Sequence, residues 1–312
     1  MIVVCGEALV DMVPAPGSSE VDAPLVPHWG GGPFNAAIAL GRLNAPVRFL
    51  SRMSIDPYGE AMLRRLQESG VDTGLVQRGP EQTSLAVVSL TPEGSARYGF
   101  YFEGTADRLV ADLGALPDDT AAIALGTCSL VLEPGASVYE RILLREAAAG
   151  RVVCVDPNIR PALIADPDAY RTRFRGWLPS LGLLKVSDED AVWLAGDDPD
   201  TAARSWLRAG VSAVVVTRGA TGLAAYTAAG VVEVPAVPTK VVDTIGAGDT
   251  AYAALLARLD SHGALTRDGL NDLDAAGWRD VLGYAAAAAS ITCSRPGADP
   301  PTAAELERKL AG

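Results

Sequence analysis

The sequence predicts an α/β fold with a mainly parallel central sheet. Short apolar runs alternate with helix-like segments over most of the 312 residues, hydrophobic residues make up 49% of the chain, and no internal repeat or low-complexity stretch interrupts the alternation. Such alternation is the pattern of βαβ units, and a chain of this length buries a substantial core. The expected strands are residues 2–5, 47–50, 121–125, 152–155, 183–186 and 213–216. Residues 57–69 read as helix, with Met62, Leu63 and Leu66 on one face and a stop at Gly70. Residues 251–259, small and apolar, read as another helix.

Two regions break the alternation. Residues 14–28 are rich in Pro, Gly and Ser, and residues 84–102 read as two strands with a turn at Pro92-Glu93-Gly94, the second placing Tyr98, Phe100 and Phe102 on one face. No linker is long enough to divide the chain, so residues 1–312 are expected to form a single domain.

Composition removes several function classes. A formal net charge of -12 disfavours nucleic acid or acidic membranes as partners, so any anion site must be local. The cysteines Cys5, Cys128, Cys154 and Cys293 are scattered singly through apolar segments, which suits reduced buried thiols better than a disulfide framework or a metal knuckle. With only His28 and His262 available, histidine-centred catalysis and zinc binding are disfavoured. Residues 1–5 are apolar, but Glu7 and Asp11 follow closely and no basic leader precedes them, so a signal peptide is not expected. The alanine-rich run ending at Cys293 is too short to span a bilayer. A cytoplasmic protein is the expectation.

The chemistry concentrates in Asp243-Thr244-Ile245-Gly246-Ala247-Gly248-Asp249-Thr250, a lone carboxylate inside a small-residue loop that opens an apolar helix. Gly246, Ala247 and Gly248 carry almost no side chain, so their N–H groups can approach an anion at a helix N-terminus. Asp249 beside them is placed to accept a proton from an attacking hydroxyl, and the pairing points to phosphoryl transfer. A helix cap is the other reading of Asp249. The loop also fits G-x-G-x-x-A through Gly246, Gly248 and Ala251, but a pyrophosphate resting there would face the Asp249 carboxylate. Ligands of open parallel sheets bind beyond the carboxyl ends of the strands. Asp11, then Asp156, Asn158 and Arg160, then Lys185 and Ser187, then Thr217 and Gly219 each follow or end an expected strand, so four strands are expected to deliver polar groups to one edge.

The run from Asp243 to Thr250 resembles the C-terminal signature of the ribokinase-like (PfkB-type) carbohydrate kinases. Gly30-Gly31-Gly32-Pro33-Phe34-Asn35-Ala36-Ala37, continuing through Gly41-Arg42-Leu43, is similar to the sugar-binding signature of that family, and the two motifs occur in the family's order. The resemblance implies a three-layer sandwich with a small β lid from about residues 12–29 and 84–106, and a homodimer formed through the lid. It implies that Asp11, Gly31, Gly32 and Asn35 hold the sugar, joined by Glu133 and by Arg160 of the fructokinase-like run Asp156-Pro157-Asn158-Ile159-Arg160-Pro161. Asp249 becomes the catalytic base, with Gly246, Ala247 and Gly248 as the anion hole. Thr217, Gly219 and Gly222 match the turn beside the ATP phosphates. Lys185 and Ser187 occupy the place of the family's N-x-x-E element, with Asp190 ordering magnesium through water. Asp243, the Ile245 carbonyl and Gly297 resemble the enclosure of a monovalent cation such as potassium. Pro301 stands where a ligating Ser is common, and Ala286 where many relatives carry an Asn near the adenine.

The implied activity is ATP-dependent phosphorylation of a primary sugar hydroxyl, with ATP and magnesium as cofactors. Fructose ranks first, because Gly6-Glu7-Ala8-Leu9-Val10-Asp11 and the run at Asp156 look fructokinase-like. Phe102, where several relatives place an Arg, argues against an acid sugar. Ribose, 2-keto-3-deoxygluconate and nucleosides are the alternative acceptors. A non-catalytic sugar or nucleotide binder is the alternative of another class.

Overall fold

A computed structural model describes residues 1–15, 24–90 and 96–311, with the side chains of 89, 90 and 96–98 also outside the description. The order of elements is β1 (Ile2–Cys5), β2 (Leu9–Pro14), β3 (Leu25–Gly30), α1 (Gly32–Arg42), β4 (Val47–Ser54), α2 (Pro57–Glu68), β5 (Val76–Gly79), β6 (Ser84–Leu90), β7 (Ala96–Tyr101) and β8 (Ala122–Gly126). There follow α3 (Gly135–Ala148), β9 (Val152–Asp156), α4 (Pro167–Trp177), β10 (Leu183–Ser187), α5 (Asp188–Ala195), α6 (Pro199–Arg208), β11 (Ala213–Thr217), β12 (Leu223–Thr227) and β13 (Gly230–Val234). The chain closes with α7 (Ala247–Ser261), α8 (Arg267–Asp272), α9 (Ala275–Cys293) and α10 (Ala303–Ala311).

Among the described residues the strands form a nine-stranded sheet, β13-β12-β11-β10-β9-β8-β1-β4-β5, and a four-stranded sheet, β3-β2-β6-β7. From β11 through β5 the large sheet is parallel; β12 and β13 add an antiparallel edge. Its central strands are apolar throughout because helices cover both faces. Side chains alternate between two cores: Ile2 and Val4 of β1 join the one built by α1, α7 and α9, while Val3 and Cys5 join the one built by α3, α4 and α6. The result is a three-layer α/β/α sandwich.

Each expected strand of the large sheet is present. Several run one residue further, to Gly126, Asp156, Ser187 and Thr217, which places a polar or small residue at the carboxyl edge of the sheet. The expected helix at 57–69 is α2, entered at Asp56, whose carboxylate accepts from the Gly59 N–H at 2.8 Å. β5 and the antiparallel β12–β13 hairpin carry no strong signal in the sequence.

Asp11 corrects one expectation. It does not stand at the end of a central strand but inside β2 of the small sheet, opposite His28 of β3. The strand that turns away after Cys5 re-forms at once as part of a second sheet, so Asp11 looks down onto the edge of the first. The turn expected at Pro92-Glu93-Gly94, the Tyr98 ring and residues 16–23 lie outside the described residues. Among the described residues no helix is long and apolar enough to cross a membrane.

Candidate active site

β1 lies between β8, reached late in the chain, and β4, reached early, so the direction of sheet growth reverses beside β1. That reversal opens a crevice at the carboxyl ends of the strands, the usual place for a ligand in such sheets. The N-termini of α1 and α7 both point into it. α1 and α7 pack on one another, and their first turns meet through a single hydrogen bond: Asn35 Nδ2 donates to Asp249 Oδ2 at 2.9 Å.

Asp249 is the third residue of α7, whose N-cap Gly246 has a φ of 73° and makes no side-chain cap bond. The carboxylate therefore does not cap its helix; it reaches across to Asn35. Asn35 likewise lies inside α1 and is no cap. Gly246 is required twice over, since its φ is left-handed and a Cβ there would come within 2.6 Å of the Ala298 Cβ. Of the loop's N–H groups, that of Ala247 is spent on the Thr244 carbonyl at 3.2 Å, which corrects its assignment to the anion hole. The Gly248 and Asp249 N–H groups, without partners inside the helix, remain for an anion.

Burial pushes the Asp249 carboxyl above the usual carboxylate range. The Asn35 hydrogen bond and the charges of Lys185 and Arg160 oppose that rise. A buried carboxylate with a raised pKa and an oriented donor is what a general base needs.

On one side of Asp249 is a cavity of about 470 Å³, within the range of small-molecule sites. The small sheet forms its roof. Leu9, Asp11 and Val13 of β2, Ala86 and Val88 of β6, and Phe100 of β7 alternate along their strands and all face inward. Gly31, Gly32 and Asn35 form one wall, and Thr127, Cys128, Asn158 and Arg160 come from the segments after β8 and β9. Burial raises the Asp11 carboxyl to about 6, against the lowering influence of His28 and Arg160. Asp11 Oδ2 nests against Gly30, where a Cβ would come within 2.2 Å of it, and a Cβ on Gly32 would meet Thr127 Cγ2 at 2.5 Å and Asp249 Oδ1 at 3.2 Å. Those two clashes explain why the signature around Asn35 is glycine-rich. Thr127 and Asn158 hold φ of 55° and 41°, conformations that cost non-glycine residues about 1–3 kcal/mol each and tend to mark functional sites.

On the other side is a cavity of about 630 Å³. Thr217, Gly219 and Gly222 of the turn after β11 line it, with Ala236, Val237 and Pro238 opposite and Ala286, Ala289 and Ser290 of α9 as its floor. The two cavities share Thr244 and Gly248. They meet at the start of α7, with Asp249 at the junction.

Several expected site residues have other work. Glu133 is not among the residues lining either cavity: its carboxylate accepts from Ser137 N and Oγ, both at 3.0 Å, and pairs with Arg173 at 3.0 Å. It begins α3 rather than holding a ligand. Ser187 and Asp190 form a reciprocal capping box at the start of α5, and Asp190 Oδ1 accepts from the Ile159 N–H at 2.8 Å. The side chain of Asp190 is buried, and its other oxygen accepts from the Ser187 N–H at 3.2 Å. Lys185 is likewise no wall of the nucleotide-side cavity. It is buried under Gly248, its Nζ 2.6 Å from Asp156 Oδ2, and acts on the site as a charge beneath Asp249. Phe102 is buried against Leu9, Ala86 and the Phe100 ring, and Phe100 is the aromatic residue that lines the cavity. Asp243 does gather its expected companions, accepting from Ile245 N at 3.0 Å and Gly297 N at 2.8 Å.

The sequence reading missed Glu7, Thr127 and Cys128, whereas Asn158, expected at the sheet edge, does line the smaller cavity. Glu7 is fully enclosed, accepting from Thr127, from Ser129 Oγ and from Ser129 N at 3.0 Å, and so ties the end of β1 to the end of β8. Its signal was present, a carboxylate directly after an apolar strand, but its partner lay in a segment with no motif.

A family model described as pfkB family carbohydrate kinase matches residues 1–305. A fructokinase from Rhizobium leguminosarum bv. trifolii is 42% identical over 278 residues, which is 88% of this chain and 84% of that protein. The crystal structure of a fructokinase with bound ATP from Xylella fastidiosa superposes with a TM-score of 0.89 at 26% identity, covering 99% of this chain and 98% of that one. A fructokinase double mutant from Vibrio cholerae O395, in fructose, ADP and potassium ion bound form, has a TM-score of 0.85 at 25% identity over 99% and 97% of the two chains.

The Asp11 carboxyl makes the smaller cavity pH-sensitive. Its ionised form accepts two or more hydroxyl hydrogen bonds, and the protonated form accepts fewer. Binding of a polyol there is therefore expected to weaken as pH falls through about 6, read by calorimetric titration of the chain with fructose across pH 5 to 8. An affinity flat over that span would remove Asp11 from the binding surface.

Proposed function

The chain belongs to the pfkB family of carbohydrate kinases, and from that premise we propose that it transfers the γ-phosphoryl group of ATP to a primary hydroxyl of fructose. The observation that carries the reading is the junction of the two cavities at Gly248, with a buried, oriented carboxylate between them. A sugar in the smaller cavity and a nucleoside triphosphate in the larger would bring hydroxyl and γ-phosphorus together only at that junction.

In this reading Asp11 and Asn35 hold sugar hydroxyls, the glycine pair Gly31 and Gly32 admits the ring edge, and Arg160 takes an oxygen of sugar or phosphate. Asn35 then has a double task, since its amide also orients Asp249. Asp249 accepts the hydroxyl proton as the oxygen attacks phosphorus, and the Gly248 and Asp249 N–H groups stabilise the charge that develops on the phosphoryl oxygens. Closing the small sheet as a lid over the sugar excludes water, so that the phosphoryl group meets the sugar rather than hydrolysing. Little else is asked of the protein beyond positioning.

Magnesium bound together with ATP would neutralise charge on the phosphates. A monovalent cation would be held by the Ile245 carbonyl and the lone pairs left on the Asp243 carboxylate, which the Ile245 and Gly297 N–H groups orient, and would brace the loop that leads into α7. The walls of the larger cavity are apolar, with hydroxyls of Thr217, Thr239, Thr244 and Ser290 as their polar side chains beside the Cys293 thiol, so the base is held chiefly by shape. Arg160 on the smaller cavity keeps 2-keto-3-deoxygluconate in the test panel, since a guanidinium also binds carboxylates. Four free cysteines suit a reducing, ATP-rich compartment such as the cytoplasm. The outer surface of the small sheet exposes Tyr101 and Leu25, and a second copy of the chain is its proposed partner.

Incubation with magnesium-ATP and a panel of fructose, ribose, 2-keto-3-deoxygluconate and nucleosides should release ADP fastest with fructose. Binding of sugar without ADP release across the panel would make the protein a binder instead. Asp249→Asn keeps the shape and loses the basicity, so kcat should fall by about a thousandfold or more with ATP binding retained. Turnover in potassium chloride should exceed that in choline chloride, and equal rates would remove the cation from the loop. Light scattering coupled to size exclusion should give twice the mass of one chain, shifting to a monomer for Tyr101→Asp.

A further inference from the structure

A third, much smaller cavity, of about 10 Å³, adjoins the sugar-side cavity through Gly32, Thr127 and Asp249. Its size matches a single water site. Most of its remaining wall is apolar, including Val4, Ala36 and Ala124, but two polar side chains, Asp156 and Tyr252, also face it. Asp156 contributes a buried oxygen, Oδ1, with no hydrogen-bond partner among the described residues, and Tyr252 a buried hydroxyl that has the Leu125 main chain nearby but makes no hydrogen bond of ordinary geometry among them. The other Asp156 oxygen is held by Lys185 Nζ at 2.6 Å, so the free oxygen is fixed in direction and does not swing toward solvent. Tyr252 is fixed as firmly, rooted in the second turn of α7 one helical turn after Asp249 and packed in the core.

Unpartnered buried oxygens are rare in native proteins, because each forfeits its hydration without recompense. Here two of them, from different elements, line one water-sized space together with the carboxylate proposed as the base. Asp249 Oδ2 accepts from Asn35, so Asp249 retains acceptor capacity for a further donor. A water there has two donors to give, to Asp156 and Asp249, and can accept from the Tyr252 hydroxyl.

We propose that this cavity binds one ordered water bridging Asp156 Oδ1, the Tyr252 hydroxyl and the Asp249 carboxylate, which makes Asp156 and Tyr252 positioning residues for the base. The inference rests on the reading of Asp249 as that base. The water supplies the donor that Asp249 lacks on the side away from the sugar, and Lys185 supplies the balancing charge through Asp156. The ionisable groups that face Asp249 from the packed elements are Lys185 of β10, Arg160 and Asp156 at the end of β9, and Asp11 of β2. Cys5 and Cys154, both buried, stand near Tyr252, and their thiols stay protonated because burial pushes them up.

Two conservative variants move the base in opposite directions. Tyr252→Phe removes one anchor of the water and weakens its donation to Asp249, so the acid limb of kcat against pH should move to higher pH, with kcat at the optimum down about tenfold and both KM values unchanged. Asp156→Asn leaves the Lys185 charge unbalanced beneath Asp249 and should move the same limb to lower pH. Loosened packing alone would not split the two shifts by sign. A high-resolution crystal structure of the wild-type chain should show one water within hydrogen-bonding distance of Asp156 and Tyr252. A dry cavity, or a folded Tyr252→Phe enzyme whose pH profile superposes on wild type, overturns the proposal. If Asp156→Asn does not fold, the density and the Tyr252→Phe profile decide alone. Turnover retained in Asp249→Asn would sink the base reading itself, whereas an inactive Asp249→Asn with an unmoved Tyr252→Phe profile sinks only the water site.

Discussion

The structure turns on keeping one carboxylate charged in a place that disfavours charge. Asp249 is buried at the start of an apolar helix, and desolvation there disfavours its charged form. What offsets that cost is distributed: the Asn35 amide from α1, the dipole of α7, the Lys185 charge from β10 and the Arg160 charge after β9. Each comes from a different element, so the proposed base is set up only when the sheet, both helices and the loops are all in place.

That dependence explains features otherwise unconnected. α1 and α7 lie close together, and the core they share is rich in small residues: Ala36, Ala37 and Ala39 of the one, Ala253 and Ala254 of the other. The glycines before them allow the two N-termini to approach each other and the ligand edge. Glu7, enclosed by Thr127 and Ser129, fixes the end of β1 against β8, and so fixes the floor on which Asn35 and Asp249 meet. Lys185 and Asp156 form a buried pair that would be expensive as a free-standing stabiliser. The Lys185 Nζ lies beneath Gly248, where its charge favours the ionised form of Asp249.

The motifs were legible because they are local. A glycine-rich loop with an acid before an apolar helix, and a second glycine run ending in Asn35, state their geometry in a few residues. Strand ends were legible as well, since polar residues after apolar runs must lie at the edge of a parallel sheet. Residues read by position alone fared less well. Ser187 and Asp190 satisfy a capping box, Glu133 starts a helix and pairs with Arg173, and Ala247 spends its N–H on Thr244. In each case a nearby backbone group competes for the same polar atoms, and local hydrogen bonds of that kind are formed before any ligand arrives.

The sequence by itself determined the layered α/β architecture, the two signature loops and the identity of the carboxylate between them, because periodicity and glycine placement act over a few neighbouring residues. Only the tertiary structure decided that Asp11 belongs to the roof rather than the sheet edge, that Asn35 holds Asp249, and that Lys185 pairs with Asp156 beneath Gly248. Those facts depend on which distant segments meet, and that is settled by packing around a shared core, not by any short stretch of chain.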